Sequence, residues 1–255
     1  MAELRNFQTG TQSGVMVDQG LRSYMLKVYN LMMFGVGITG VAAYVTTLLT
    51  TTNDPSQAAA TMRGGVMLTQ LGVALYTSPL QWVVMLAPLA LVFFLSFRIH
   101  KMSVSAAQGT FWAYAALLGV SLSSILLVYT AASITQTFFV TAASFGALSL
   151  YGYTTKRDLS GMGSFLVMGL FGIILASIVN IFLKSSGLEF AISIIGVLVF
   201  AGLTAWDTQK IKEMYFDADD EVTYGRKAVM GALTLYLDFI NLFLFLLRFL
   251  GNNRN

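Results

Sequence analysis

An all-α membrane protein of seven spans is the fold class this sequence predicts, and two observations carry it. Of its 255 residues 56% are hydrophobic and 11% charged, with a mean hydropathy of +0.72, whereas a soluble domain has about 25% charged residues. Seven apolar runs, each close to the ~20 residues a helix needs to cross a bilayer, are separated by short polar or turn-rich segments. We divide the chain into a polar tail (residues 1–27), one seven-helix domain (28–251) and a short C-terminal tail (252–255).

The first span is expected over Val28 to Leu49. Its Gly35, Gly37 and Gly40 form a G-x-G-x-x-G match, but a dinucleotide fingerprint needs a preceding strand and a helix start in water. Inside an apolar run the glycines instead let a neighbouring helix pack close. TTTNDPS, Thr50 to Ser56, breaks the chain, and Ala58 to Leu75 reads as a loop with a short interfacial helix. The second span runs over Leu80 to Phe97 with a kink at Pro88, closing on Arg98, His100 and Lys101. The third covers Ala107 to Tyr129, where Ser121, Ser123 and Ser124 are available for interhelical hydrogen bonds. The fourth covers Gln136 to Tyr153. In the link that follows, Asp158 or Ser160 is placed to cap the fifth span, Met162 to Leu183. That span carries Gly172 and Ala176 as a small-xxx-small pair and Asn180 one turn later. The sixth, Leu188 to Trp206, runs directly into Asp207. DADDE, Asp217 to Glu221, lacks the alternating twelve-residue spacing of a calcium loop and reads as a solvated acidic turn.

The last run, Ala228 to Gly251, is the helix the others are expected to enclose. It holds Asp238 near its middle, and an acid there costs about 2.5–3.5 kcal/mol on insertion scales, so it belongs against protein or a wet cavity. At helical spacing Gly231, Thr234, Asp238, Asn241 and Phe245 share one face.

Composition also excludes function classes. Cysteine is absent and His100 is the only histidine, which removes thiol catalysis, thiolate metal sites and multi-histidine metal sites. The net charge of +3 calls for no nucleic-acid partner, because excess Lys and Arg in short loops follows the positive-inside rule. Arg5, Arg22, Lys27, Arg98, Lys101, Lys156, Arg157, Lys210, Lys212, Arg226 and Lys227 fall on one side and Arg63 and Lys184 on the other. The N-terminus is therefore expected in the cytoplasm. Arg248 and Arg254 leave open whether the last helix crosses fully or re-enters. No internal repeat marks an inverted-repeat transporter.

Asp207 and Asp238 carry the chemistry. A loop of about twenty residues joins antiparallel neighbours, so the two carboxyls are expected to approach one another. Poorly hydrated like charges cannot both ionise cheaply. A shared proton would hold the helices together and its loss would push them apart, a bistable element suited to gating. Oxygen ligands on an otherwise apolar path suit Ca²⁺ as the moving ion, with Thr204, Thr234, Asn241 and Asn180 as polar lining and no cofactor.

LTLYLDFINLFLFLLRFLG (233–251), TAWDTQKI (204–211), the KRDLS link and VNIF (179–182) together resemble the Bax inhibitor family, the transmembrane Bax inhibitor motif proteins, in its bacterial branch. The likeness covers most of the chain from about Leu91 onward, with LYLDFINLF and WDTQ its most specific parts. It implies six helices around the last one, a bacterial inner membrane location and a pH-sensitive calcium leak. Asp207 and Asp238 match the family's paired aspartates, the proton-sensing latch. Arg98 matches an arginine that pairs with them in a bacterial relative; as a positive-inside anchor it is equally well accounted for. Trp206 departs from the tyrosine that relatives often carry. Some bacterial members restrain a membrane-anchored AAA protease, and eukaryotic ones are linked to suppression of cell death, so a regulatory role is the alternative, with the polar tail as the place for a partner.

No enzyme class fits these residues. Intramembrane aspartyl proteases share an acid on each of two helices, but their Gly-x-Gly-Asp and Pro-Ala-Leu motifs are absent. No lysine lies between Ala228 and Gly251 for a retinal Schiff base, and His100 is outside the spans, where it serves no intramembrane serine.

Overall fold

A computed structural model describes residues 2–62 and 64–253, with side chains described from Gln19 onward. The helices are α1 (Ala2–Thr50), α2 (Gln70–Thr77), α3 (Leu80–Arg98), α4 (Val104–Val128), α5 (Ala131–Thr154), α6 (Ser160–Leu183), α7 (Ser186–Glu213) and α8 (Glu221–Leu250). All but α2 are long and apolar enough to cross a membrane, α1 over Gln19–Thr50, so the chain is an all-α polytopic membrane protein.

The seventh span, α8, is central. Of its apolar window 61% is buried, against 11% in α3 and in α6. Helices α1, α4, α5 and α7 pack directly on it, while α3 packs chiefly on α4 and α6 on α7. The six therefore enclose α8 in two ranks. Tyr236 is fully buried toward α1 and α4: its hydroxyl lies 2.6 Å from Thr39 Oγ1, and its ring meets Phe111 and Tyr114 edge-on at 5.5 and 5.7 Å. Thr39 also donates to the carbonyls of Gly35 and Ala115, joining three helices through one hydroxyl. On the other side Phe239 meets Phe138 and Phe145 of α5.

Helix ends differ from the sequence expectation where burial overrides hydropathy. Helix α1 is already formed upstream of Val28, and within its described stretch Tyr24, Met25 and Val28 are buried while Arg22 and Lys27 are exposed. Helix α7 runs to Glu213, beyond the span expected to close at Trp206: Thr208, Gln209 and Ile211 are buried against neighbours, so the helix continues past the apolar run. Asp207 consequently lies inside α7, not at its end.

The segment after α1 carries α2, as expected, and a three-stranded antiparallel sheet, which was not. Thr51–Thr52 (β1), Ala60–Thr61 (β2) and Met67–Leu68 (β3) pair in the order β1-β3-β2. Gly64 and Gly65, at φ of 95° and 79°, make the turn between β2 and β3, a left-handed geometry that glycine adopts without steric cost. Arg63 and Arg254, and the side chain of Arg5, lie outside the described residues.

Several packing expectations resolve residue by residue. Gly35 abuts Phe111 and Tyr236, but Gly37, Gly40 and Gly172 have open space before them, so only the first of these admits a neighbouring helix. Ser121 donates to Val84 O on α3 and Ser123 bonds Tyr76 of α2, whereas Ser124 bonds its own helix. Asp158 accepts from Ser160 N at 2.8 Å, and hydrogen bonds from the Ser160 side chain and backbone hold its carboxyl below the usual carboxylate range. In the acidic turn Asp219 pairs with Lys227 at 2.5 Å and Asp220 caps α8 through Val222 N and Thr223 N.

The C-terminus decides the course of α8. Asn252 O accepts from Thr130 N and Asn252 N bonds Ser133 Oγ, fastening the chain to the α4–α5 turn. The α7–α8 loop lies at the other end of the bundle, so α8 runs its full depth and does not re-enter.

Candidate functional site: a carboxyl pair between α7 and α8

Asp207 and Asp238 meet. Their carboxyl groups lie within hydrogen-bond reach of each other, at 8% and 5% exposure. Close approach of α7 and α8 makes this possible: Gly231 receives Ile211 of α7, and Gly196 receives the ring of Phe245. Small residues at such seams let helix backbones draw together. Asp238 Oδ2 is buried and has no hydrogen-bond partner among the described residues. A carboxyl can bond a carboxyl only when one of the two carries a proton.

The surroundings supply little charge. Lys210, one turn beyond Asp207, is the cation whose field reaches it; it is exposed, its ammonium 5.0 Å from the centre of the Trp206 ring. Trp206 packs on Gly163 of α6, so it points away from Asp238. Arg98 does not join the pair. It is exposed at the end of α3 with its guanidinium 5.9 Å from the Phe94 ring centre, and it forms no ion pair with either acid.

The expected polar lining separates. Thr234 and Asn241 flank Asp238 by about one turn on either side, half-buried, their side chains bonded to Met230 O and Leu237 O of their own helix. Thr204 is fully buried beside Asp207 and donates to Phe200 O. Asn180 is elsewhere: its Oδ1 accepts from Ser185 N at the α6–α7 turn, about 31 Å of helix rise from Asp207. It closes a turn and lines nothing near the pair.

Sequence reasoning missed the polar residues that steady α7 beside the acids. Tyr29 OH, Ser149 Oγ and Thr208 Oγ1 form a chain at 2.6 and 2.9 Å that joins α1, α5 and α7 and ends on Thr204 O. Buried Gln209 accepts from Leu159 N and donates to Arg157 O, each at 2.9 Å, pinning the α5–α6 link to α7. WDTQ and KRDLS, the two segments distinctive in the sequence, thus touch one another. Gln209→Leu leaves a buried N–H and a carbonyl without partners, at about 1–3 kcal/mol each. It is expected to lower the unfolding temperature in detergent, with Gln209→Glu, which keeps the acceptor, falling between the two.

The family model described as Inhibitor of apoptosis-promoting Bax1 matches residues 21–255. The chain belongs to the Bax inhibitor family. Among its relatives a protein of Rickettsia prowazekii is 48% identical over 97% of each chain. The inner membrane protein YbhL of Escherichia coli is 48% identical over 92% of this chain and 94% of its own. A Caulobacter vibrioides protein is 45% identical over 93% and 92%. Family membership and the seven-span fold agree with the resemblance seen in WDTQ and LYLDFINLF.

Proposed function

We propose that this Bax inhibitor family protein is a pH-sensitive cation leak, with Ca²⁺ as its cargo, gated by the Asp207–Asp238 pair. The observation that supports the reading is Asp238 Oδ2, buried and without a hydrogen-bond partner among the described residues, on a carboxyl that lies beside that of Asp207; a proton shared with Asp207 would satisfy it. While that proton is present, the pair ties α7 to α8. Its loss leaves two negative charges in contact in a poorly hydrated seam, and repulsion favours separation. Among the described residues the neighbouring groups from α1 and α5, Tyr29 and Ser149, are neutral hydroxyls, and Lys210 on α7, whose field reaches Asp207, is exposed to solvent, so it offsets the second charge only in part. The sign follows: flux rises as pH rises through the titration of the pair. Separated carboxylates then offer oxygen ligands to a hard cation. Arg98 has no part in this latch and serves as an anchor at the end of α3. The excess of Lys and Arg at the α1 N-terminal end of the bundle supports a cytoplasmic N-terminus, and relatives such as YbhL support a bacterial inner membrane. The reading requires neither a catalytic step nor a cofactor.

Proteoliposomes loaded with a calcium dye test it. The expected result is Ca²⁺ flux above that of protein-free vesicles, larger at higher pH, and unchanged when residues 1–18 are deleted. Flux no greater than in empty vesicles at any pH would overturn the leak, leaving modulation of a membrane-anchored AAA protease as the surviving reading.

A further inference from the structure

Helices α1 and α5 both pack on α8 but not along each other, and the gap between them is a cleft of about 750 Å³. This lies within the 300–1,000 Å³ of small-molecule sites. Its floor is Phe239 of α8, and its walls carry Met32 and Met33 from α1 and Ala142 and Phe145 from α5. Met33 and Leu150 at its edges are largely exposed, so the cleft opens sideways, toward lipid rather than water. Methionine walls adapt to chains of varied shape.

The two ends of the cleft differ in chemistry. Toward the α1 N-terminal side stand Arg22, Tyr29, Ser149 and Tyr153; toward mid-bundle the lining is apolar. Lys212 does not line the cleft; its ammonium donates to Tyr153 O at 2.9 Å, which leaves Arg22 as the cation among the described lining residues. Among the described residues no acid lines the cleft. A positive head region, an apolar channel leading inward and a lateral mouth match one occupant. We propose that the cleft binds one anionic phospholipid from the leaflet on the Arg22 side, its phosphate at Arg22 and one acyl chain between α1 and α5 against Phe239. Basic pockets between membrane helices on this side hold anionic head groups by the same charge complementarity. The proposal does not depend on the leak.

Native mass spectrometry of the full chain, titrated with phosphatidylglycerol or phosphatidylcholine, tests it. One phosphatidylglycerol is expected to be retained, roughly fivefold more tightly than phosphatidylcholine, the factor that about 1 kcal/mol for the one basic residue Arg22 implies. Arg22→Ala should remove that preference. Gly146 lines the cleft with nothing within 4 Å of where its Cβ would lie, so Gly146→Leu should fold as the parent, with an unchanged melting profile without lipid, yet lose the retained lipid. Equal retention of both lipids, or wild-type retention by Gly146→Leu, would overturn the site. Displacement of the phospholipid by equimolar oleate would overturn it in favour of a free fatty acid.

Discussion

Asp238→Asn is expected to hold Ca²⁺ flux at its low-pH level across the whole pH range, and Asp238→Ala to raise it at every pH. The two variants differ in one respect. An asparagine amide can donate permanently to the Asp207 carboxylate, reproducing the bond that a shared proton makes, with no proton to lose. Alanine leaves the Asp207 carboxyl without that partner in a seam where the wild type excludes water. Leaving a buried polar group without its partner costs about 1–3 kcal/mol, enough to favour any arrangement that hydrates the remaining acid. Flux at low pH should therefore rise about tenfold in Asp238→Ala, and the pH profile should be flat in Asp238→Asn. The same proteoliposome assay reads both, and Asp207→Asn should copy Asp238→Asn. If both Asp238 variants titrate like the wild type, the pair is not the gate.

Gly152→Leu should have the largest effect on folding. A Cβ at Gly152 would fall on the carbonyl oxygen of Ala205, so α5 and α7 pack there backbone to backbone with no room for a side chain. Overpacking of this kind costs about 1–3 kcal/mol or more. Here it also pulls apart the Ser149–Thr208 bond and the bond from Lys212 Nζ to Tyr153 O. We expect a large loss of thermal stability and of detergent-extractable protein. The control is Gly161→Leu at the exposed start of α6, where a Cβ meets nothing; its unfolding temperature should be unchanged or slightly higher. Equal behaviour of the two variants would contradict the close α5–α7 contact.

The acids were legible in the sequence because charge in hydrocarbon is expensive, and a carboxylate amid LYLDFINLF demands a partner within the protein. Asp207 supplied it by topology alone: antiparallel neighbours joined by a loop bring the end of one helix beside the next. The central place of α8 followed from the same cost. What periodicity does not record is which polar groups satisfy one another across helices. Gln209 and Thr208 lie past the apolar run, yet burial of their bonds to Leu159, Arg157 and Ser149 continues α7 to Glu213. Arg98 and Asn180 show the converse. Residue type and position along a span suggested a site, but the direction in which each side chain leaves its helix places it elsewhere. The small strands after α1 are two residues each, too short for alternation to register.

The proposed gate is one proton held between two carboxyls. Infrared difference spectroscopy of the reconstituted protein across a pH titration reads it directly, through the C=O stretch of a protonated carboxyl in the buried seam. Wild type should show one such band disappearing in a single transition that coincides with the rise in Ca²⁺ flux, and the band should be absent from both Asp207→Asn and Asp238→Asn. A band that persists unchanged in those variants, or a wild type without one at any pH where flux is low, would contradict it.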